Sequence, residues 1–330
     1  MTQREQGGIF GSEPERKPVM NFAVVATAAS IAVLGFAAAA PAFASDGPEV
    51  RIRHSVARMV VVVEDRADVA VEIEGGASGL PRPTVTRVGN EVRIDGGLGR
   101  NATRNCRTGN SAGRQPGEGA SVEVRNKGRI ELSAAPLIVV RTPRQVSVSV
   151  ENDAVFGAVG RGAQAVELSN NGCGNWTVAN VSGPLSVSVA GSGDIRAGTS
   201  GKLEANIMGS GDLWAGATGD IEANIMGSGD MNLGTGHSLD ANIMGSGDIN
   251  VAAINGPLSA NIPGSGNITV RGDQAANVSA NIMGSGDIDL QGQAGSVSAN
   301  IMGSGDINIA RVTGAVSQST MGSGRVRIGG

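Results

Sequence analysis

The chain has 330 residues, of which 52 are glycine and only 2% are aromatic, and it contains no tyrosine. This composition excludes a conventional core of large aromatic side chains and favours a thin fold packed with small and β-branched residues. The formal net charge is −4, and from residue 166 onward 13 acidic side chains face 6 basic ones, which argues against a nucleic-acid partner.

The first 45 residues have the pattern of an export signal. A polar leader precedes an alanine-rich apolar stretch, Val19–Ala40, and Ala42-Phe43-Ala44 offers a small-x-small cleavage site before Ser45. The apolar stretch has 22 residues, which is enough to span a bilayer if it is not cleaved. We therefore predict that the body of the protein is exported and that any membrane contact is made through this stretch.

Export gives the two cysteines a specific interpretation. Cys106 and Cys173 form an even pair in an oxidising compartment, so a disulfide is predicted. Such a bridge is worth up to about 4 kcal/mol in the chain-entropy model. Metal binding by two lone cysteines, with only His54 and His237 available, is the disfavoured alternative.

Residues 46–145 are predicted to form an N-terminal β region. Short alternating segments rich in Val and Ile are separated by Gly, Pro and Asn, a pattern typical of strands joined by turns. Residues 96–119 are rich in Gly, Arg and Asn, and we expect them to form a long surface loop attached through Cys106. The predicted strands are Met59–Glu64, Val69–Glu74, Glu91–Asp95, Ser121–Arg125 and Arg129–Leu132.

The phrase Gly-Ser-Gly, followed in most copies by Asp, recurs every 18 to 20 residues through the last half of the chain. A period this short and regular predicts a parallel β-solenoid over residues 146–330, in which each copy is one rung. Residues 170–175 and 151–153 read as two degenerate earlier copies. The eight regular copies begin at Gly191, Gly209, Gly227, Gly245, Gly264, Gly284, Gly303 and Gly322.

Alternation by two within each repeat predicts two strands per rung around a narrow apolar core. In the first arm alanine points inward at every rung, which indicates that the opposite wall lies close. The inward alanines are Ala205, Ala223, Ala241, Ala260, Ala280 and Ala299. The inward column of the second arm is Ile195, Leu213, Met231, Ile249, Ile268, Ile288, Ile307 and Val326.

These in-register Gly-Ser-Gly-Asp rungs, behind N-terminal strands and an export signal, resemble the bacterial head GIN domain family, whose members are described as heads of auto-transporter adhesins. The resemblance extends from about Val50 to Ile328. It implies an exported, right-handed β-solenoid, and it implies no catalytic residue.

An outward column of aspartates is the first candidate site. Carboxylates stacked about 4.8 Å apart repel one another, by roughly 1 kcal/mol per pair in water, so something must offset the repulsion. A row of Ca²⁺ sites is one explanation. Hydrogen bonds from the amides of each Gly-Ser-Gly corner are the favoured one, and they require no cofactor. The aspartates are Asp194, Asp212, Asp230, Asp248, Asp287 and Asp306.

Two further outward columns are candidate faces for a ligand or partner. The asparagines are expected to form an amide ladder, with a sugar-binding row as the alternative. The methionines are either an adaptable contact surface or packed at the corner under the loose turns. The columns are Asn206, Asn224, Asn242, Asn261, Asn281 and Asn300, and Met208, Met226, Met244, Met283, Met302 and Met321.

Taken together, these patterns predict a non-enzymatic protein of the bacterial envelope, with an adhesin-like or scaffolding role. Its partner would be a protein or polysaccharide of the envelope, and its location the periplasm, the outer surface or the medium. A carbohydrate-active β-helix enzyme, which needs carboxylates converging in a cleft, is the first alternative. A periplasmic signalling module anchored by an uncleaved Val19–Ala40 is the second.

Overall fold

The computed structural model of the protein describes residues 47–109, 115–151, 153–272 and 274–329. Within these ranges the chain is all-β, with 28 strands and a single 3₁₀ helix, Leu132–Ala134. The predicted signal peptide lies outside the described residues. Inside them, no helix has the length and apolarity needed to cross a membrane.

The strands fall into an N-terminal set and a repeat set. The N-terminal strands are β1 (Glu49–Arg53), β2 (Val56–Val63), β3 (Ala70–Glu74), β4 (Thr84–Val88), β5 (Glu91–Asp95), β6 (Thr103–Arg107), β7 (Ser121–Val124), β8 (Gly128–Glu131) and β9 (Leu137–Thr142). The repeat strands are β10 (Gln145–Glu151), β11 (Ala154–Val159), β12 (Ala165–Asn171), β13 (Trp176–Val178), β14 (Pro184–Val189), β15 (Ile195–Ala197), β16 (Lys202–Ile207), β17 (Leu213–Ala215), β18 (Asp220–Ile225), β19 (Met231–Gly236), β20 (Ser238–Ile243), β21 (Ile249–Ile254), β22 (Leu258–Ile262), β23 (Ile268–Gly272), β24 (Gln274–Ile282), β25 (Ile288–Ile301), β26 (Ile307–Val312), β27 (Val316–Thr320) and β28 (Val326–Ile328).

The repeat strands form a parallel β-solenoid of about ten turns with roughly 19 residues per turn, as predicted. Each turn, or rung, places its first strand in one ladder and its second strand in another, and we call these the first face and the second face. On the first face β10, β12, β14, β16, β18, β20, β22 and β24 pair in parallel and in register. The long strand β25 carries the chain from the second face to the first.

The N-terminal region belongs to the same ladders, but its rungs do not stack in chain order. Strand β1 lies between β5 and β10, and β2 lies between β9 and β11. The rung made of β5 and β9 is therefore outside the rung made of β1 and β2. Strands β4 and β3 then pair antiparallel with β5 and β9, which covers the outer edge of both ladders.

An inserted three-stranded antiparallel sheet, β6-β7-β8, interrupts the outermost rung between β5 and β9. Strand β6 lies within residues 96–119, so the long surface loop predicted there is corrected to a segment that contains a strand. Every residue of β6 is exposed or half-buried, which explains why the strand shows no apolar alternation. The predicted disulfide between Cys106 and Cys173 is confirmed, and its Cα atoms are 6.2 Å apart. It joins the insert to the corner between β12 and β13.

The inward columns pack as predicted. All six alanines of the first arm are fully buried, and so are seven of the eight residues of the second-arm column, Val326 being half-buried. One large side chain interrupts this narrow core: Trp176 is 1% exposed and pairs in register with Gly157. A Cβ atom on Gly157 would lie well inside 3.0 Å of the indole ring, so the glycine makes the space that the tryptophan fills.

The corner glycines are required by close approach between rungs. A Cβ atom on Gly209, Gly227 or Gly245 would overlap the carbonyl oxygen of the equivalent glycine on the preceding rung. Positive φ is not the reason, because among the corner glycines of the regular copies only Gly322 adopts it, with φ 135°. Each corner serine instead donates its backbone N–H to that carbonyl, as Ser210 does to Gly191 at 3.0 Å.

Candidate functional site: the residue rows of the first face and its corner

The three predicted columns form straight rows along the solenoid, because equivalent residues of neighbouring rungs pair in register. The asparagine row lies on the first face, in the middle of the outward side. The methionine row follows the last inward residue of each first-face strand, and the aspartate row lies across the Gly-Ser-Gly corner, just before the second-face strand.

The asparagine row is an amide ladder, as expected. Each Nδ2 donates to the Oδ1 of the asparagine on the preceding rung, so the row is held in one orientation. The Nδ2–Oδ1 distances are 3.1 Å for Asn224–Asn206, 3.0 Å for Asn242–Asn224, 3.1 Å for Asn261–Asn242, 2.9 Å for Asn281–Asn261 and 3.0 Å for Asn300–Asn281.

The methionine row points to solvent, which decides between the two predicted placements. Its side chains are among the few large apolar groups exposed in the described part of the chain. The exposed fractions are 46% for Met208, 45% for Met226, 39% for Met244, 55% for Met283, 52% for Met302 and 65% for Met321. In the rung between Met244 and Met283 this place is taken by Pro263.

The aspartate row accepts backbone hydrogen bonds, as the favoured explanation predicted, but the donor is different. The N–H comes from the row residue of the next rung rather than from the aspartate's own corner. Along the row, Oδ1 accepts the N–H of Asp212 at 3.2 Å, Asp230 at 2.8 Å, Asp248 at 2.8 Å, Asn267 at 2.7 Å, Asp306 at 2.7 Å and Arg325 at 2.9 Å.

These bonds offset the repulsion between stacked carboxylates, since each one is charge-assisted. Asn267 continues the row by donating to Asp248 and accepting the N–H of Asp287 at 2.9 Å. At the last rung Arg327 forms an ion pair with Asp306 at 2.8 Å. In the part of the chain that the structure describes, no three His, Cys, Asp or Glu side chains gather as a metal site would require. Ca²⁺ binding at the row was the disfavoured alternative, and the expectation that the row needs no cofactor stays a prediction.

A groove runs beside the asparagine row across the later rungs. It has a volume of about 730 Å³, and its floor is apolar, formed by Leu239, Leu258, Val278 and Val297. A row of serine hydroxyls lies along it, two residues before each asparagine: Ser259, Ser279 and Ser298. The first face therefore presents hydroxyl, amide and thioether rows side by side.

The sequence patterns missed a group of charges at the N-terminal rungs. Arg51 bonds to Glu49, Glu91 and Glu151 at 3.0, 3.1 and 3.3 Å across three neighbouring strands. The alternation of Glu and Arg in β1 and β5 is visible in the sequence. It does not identify which strands pair, so the cluster of charges could not be predicted from it. Asp153 is 4% exposed at the adjacent corner, and burial raises its pKa from 3.8 to about 8.

Known proteins similar to this chain include a family and a solved structure. The profile of the family described as "Putative auto-transporter adhesin, head GIN domain" matches residues 45–254 and again residues 252–330. A crystal structure of a "putative lipid binding protein" from Parabacteroides distasonis is 18% identical, with 86% of this chain and 93% of that chain covered and a TM-score of 0.35. No curated protein matches the sequence.

Proposed function

We propose that this chain, which belongs to the head GIN domain family, is an exported, non-enzymatic adhesive or scaffolding protein of the bacterial envelope. The first face of its solenoid is the attachment surface, and its partner is a protein or polysaccharide of the envelope. Export is supported by the family and by the disulfide between Cys106 and Cys173, a bond that persists in oxidising compartments.

The observation that carries this proposal is repetition of the same surface at every rung. The asparagine row is oriented in advance by its own ladder, so binding costs little additional ordering of these side chains. Identical groups about 4.8 Å apart offer many weak contacts, whose joint strength grows with their number.

Repetition also supports a role without catalysis. A hydrolytic carboxylate pair needs two groups in different environments, one acting as acid and one as base or nucleophile. On this corner the aspartates have equivalent neighbours from rung to rung, and their Oδ1 atoms accept backbone hydrogen bonds. Such a row is suited to holding a surface in shape.

The test uses cells of the host bacterium that produce the full chain. Replacing Met208, Met226 and Met244 by Glu places three charges on the first face without entering the core, because these side chains are exposed. The matched control places three glutamates at Thr199, Ala217 and Thr235, exposed positions on or beside the loose turns of neighbouring rungs.

We expect the methionine variant to lose attachment to other cells and to isolated envelope material to the level of a deletion strain. The control variant should attach as wild type does, at equal abundance in the envelope. If the deletion strain attaches as well as the wild-type strain, the proposed function is wrong.

A further inference from the structure

The methionine row contains two groups of three. Met208, Met226 and Met244 occupy consecutive rungs, Pro263 replaces methionine in the next rung, and a second group follows. That second group is Met283, Met302 and Met321. We call the two groups the first and second methionine triplets.

Within each triplet the backbone sets the spacing. Met226 and Met244 donate their N–H to Ile207 and Ile225 on the preceding rungs, both at 2.8 Å. Met302 and Met321 do the same to Ile282 and Ile301, at 2.8 and 2.7 Å. Neighbouring methionines of a triplet therefore start about 4.8 Å apart. Three rotatable side-chain bonds allow the three sulfur atoms to converge on one point.

Pro263 separates the triplets without breaking the ladder. It has no N–H, and Gly264 donates to Ile243 at 3.1 Å in its place. The gap from Met244 to Met283 is two rungs, or about 10 Å. Met208 and Met244 are equally far apart but have Met226 between them, whereas the rung between Met244 and Met283 carries Pro263 and no sulfur. An ion over that rung would have at most two thioether ligands, so each triplet is a separate three-sulfur unit.

The chemistry of three exposed thioethers selects a soft ion. Thioether sulfur is neutral and polarisable, and it prefers Cu(I) to hard cations such as Ca²⁺ and Mg²⁺. It carries no proton that must leave before binding. An aspartate follows four residues after five of the six methionines, and Arg325 takes that place after Met321. The excess of acidic residues from position 166 onward adds a potential that favours a cation.

We propose that each methionine triplet binds one soft monovalent cation, Cu(I) or its analogue Ag(I), through its three sulfur atoms. This site does not depend on the adhesive role, because it requires only the sulfur atoms of the exposed methionines and not an envelope partner. The chain suits a test of this kind because both of its cysteines are in the disulfide, so no free thiol competes for the metal.

The experiment is a titration of the purified full chain with Ag(I) in chloride-free buffer, followed by calorimetry. A Cu(I) titration against a chromophoric chelator repeats it with the second ion. Methyl NMR of the methionines identifies the ligands. We expect two equivalents to bind, with shifts in the six row methionines and none in the buried Met59 and Met231.

The variants replace sulfur while keeping an exposed apolar side chain. Met226→Leu should remove the first equivalent and Met302→Leu the second, each weakening its site at least tenfold, and the double variant should bind neither. Met231→Leu is the matched control, because its column already contains Leu213 in the adjacent rung, and it should keep both sites. Melting curves check that each variant is folded.

A different stoichiometry in the wild-type protein, or unchanged binding by the double variant, would overturn the proposal. In the second case the metal would be bound elsewhere and the row would be an apolar contact surface alone.

Discussion

Adding one methyl group at Gly157 should destabilise the protein only while Trp176 is present. The backbone at Gly157 does not have positive φ, so alanine is allowed there by conformation. Its Cβ would nevertheless lie well inside 3.0 Å of three ring atoms of Trp176. That ring is 1% exposed and is packed in a narrow core. Overpacking of this kind costs about 1–3 kcal/mol.

Replacing Trp176 by leucine should remove the destabilisation that Gly157→Ala causes. Leucine is compatible with the column, since Leu213 occupies it two rungs later. It also removes the indole Nε1, which is buried without a hydrogen-bond partner. In a Trp176→Leu background the clash is gone, and alanine within a strand is favoured over glycine by about 0.5–1 kcal/mol. Gly157→Ala should then be neutral or stabilising.

Thermal unfolding followed by circular dichroism measures all four proteins of this cycle. For a domain of this size 1 kcal/mol corresponds to about 2–4 °C in Tm. We expect a coupling energy of about 1–3 kcal/mol between the two sites. An equal cost of Gly157→Ala in both backgrounds would refute the argument that the indole fills the space left by the glycine.

Three further predictions concern the disulfide, a buried acid and the aspartate row. Replacing Cys106 and Cys173 by serine, which opens a loop of 67 residues, should cost about 4 kcal/mol and expose the insert to limited proteolysis; unchanged resistance would contradict its attachment. Because the pKa of Asp153 is raised to about 8, its contribution to stability is complete below pH 3.8 and is lost as the pH rises toward 8. The Tm of Asp153→Asn should therefore rise relative to the Tm of wild type as the pH increases from 5 to 8. A Tm difference between the two proteins that stays constant over this range would contradict the prediction. Asp248→Ala leaves the N–H of Asn267 without its acceptor and should cost about 1–3 kcal/mol, Asp248→Asn should cost less, and calorimetry with Ca²⁺ should show no saturable heat; a chelator that lowers the Tm would refute this assignment.

The repeat half was predictable because one local rule recurs many times. Alternation placed Ala205 and its equivalents inward and the asparagine row outward, and both placements are confirmed. The disulfide followed from the number of cysteines and the predicted compartment. For the aspartate row the type of bond was predictable, but not its donor. A single repeat does not contain the N–H of the next rung that approaches Asp212.

The N-terminal half was less predictable because its contacts join distant segments. Strands β1, β5 and β10 have similar alternation of apolar and polar residues. This pattern does not show that β1 lies between the other two in the ladder. Strand β6 has no buried face and so gives no alternation. Asp153 is buried because the corner at His54 and Ser55, about 100 residues earlier, lies against it and donates backbone hydrogen bonds.

The rung order at the N-terminal end makes the solenoid directional in its assembly. Strands β3 and β4 close the outer edge of the ladders, so new strands pair only on the side of β10 and β11. All parts of this closed end, and the second cysteine of its disulfide, precede residue 174. A chain that crosses a membrane amino-terminus first would build this template early. Every later segment of about 19 residues would then pair with the strands of the preceding rung, which is a contact between segments close in sequence.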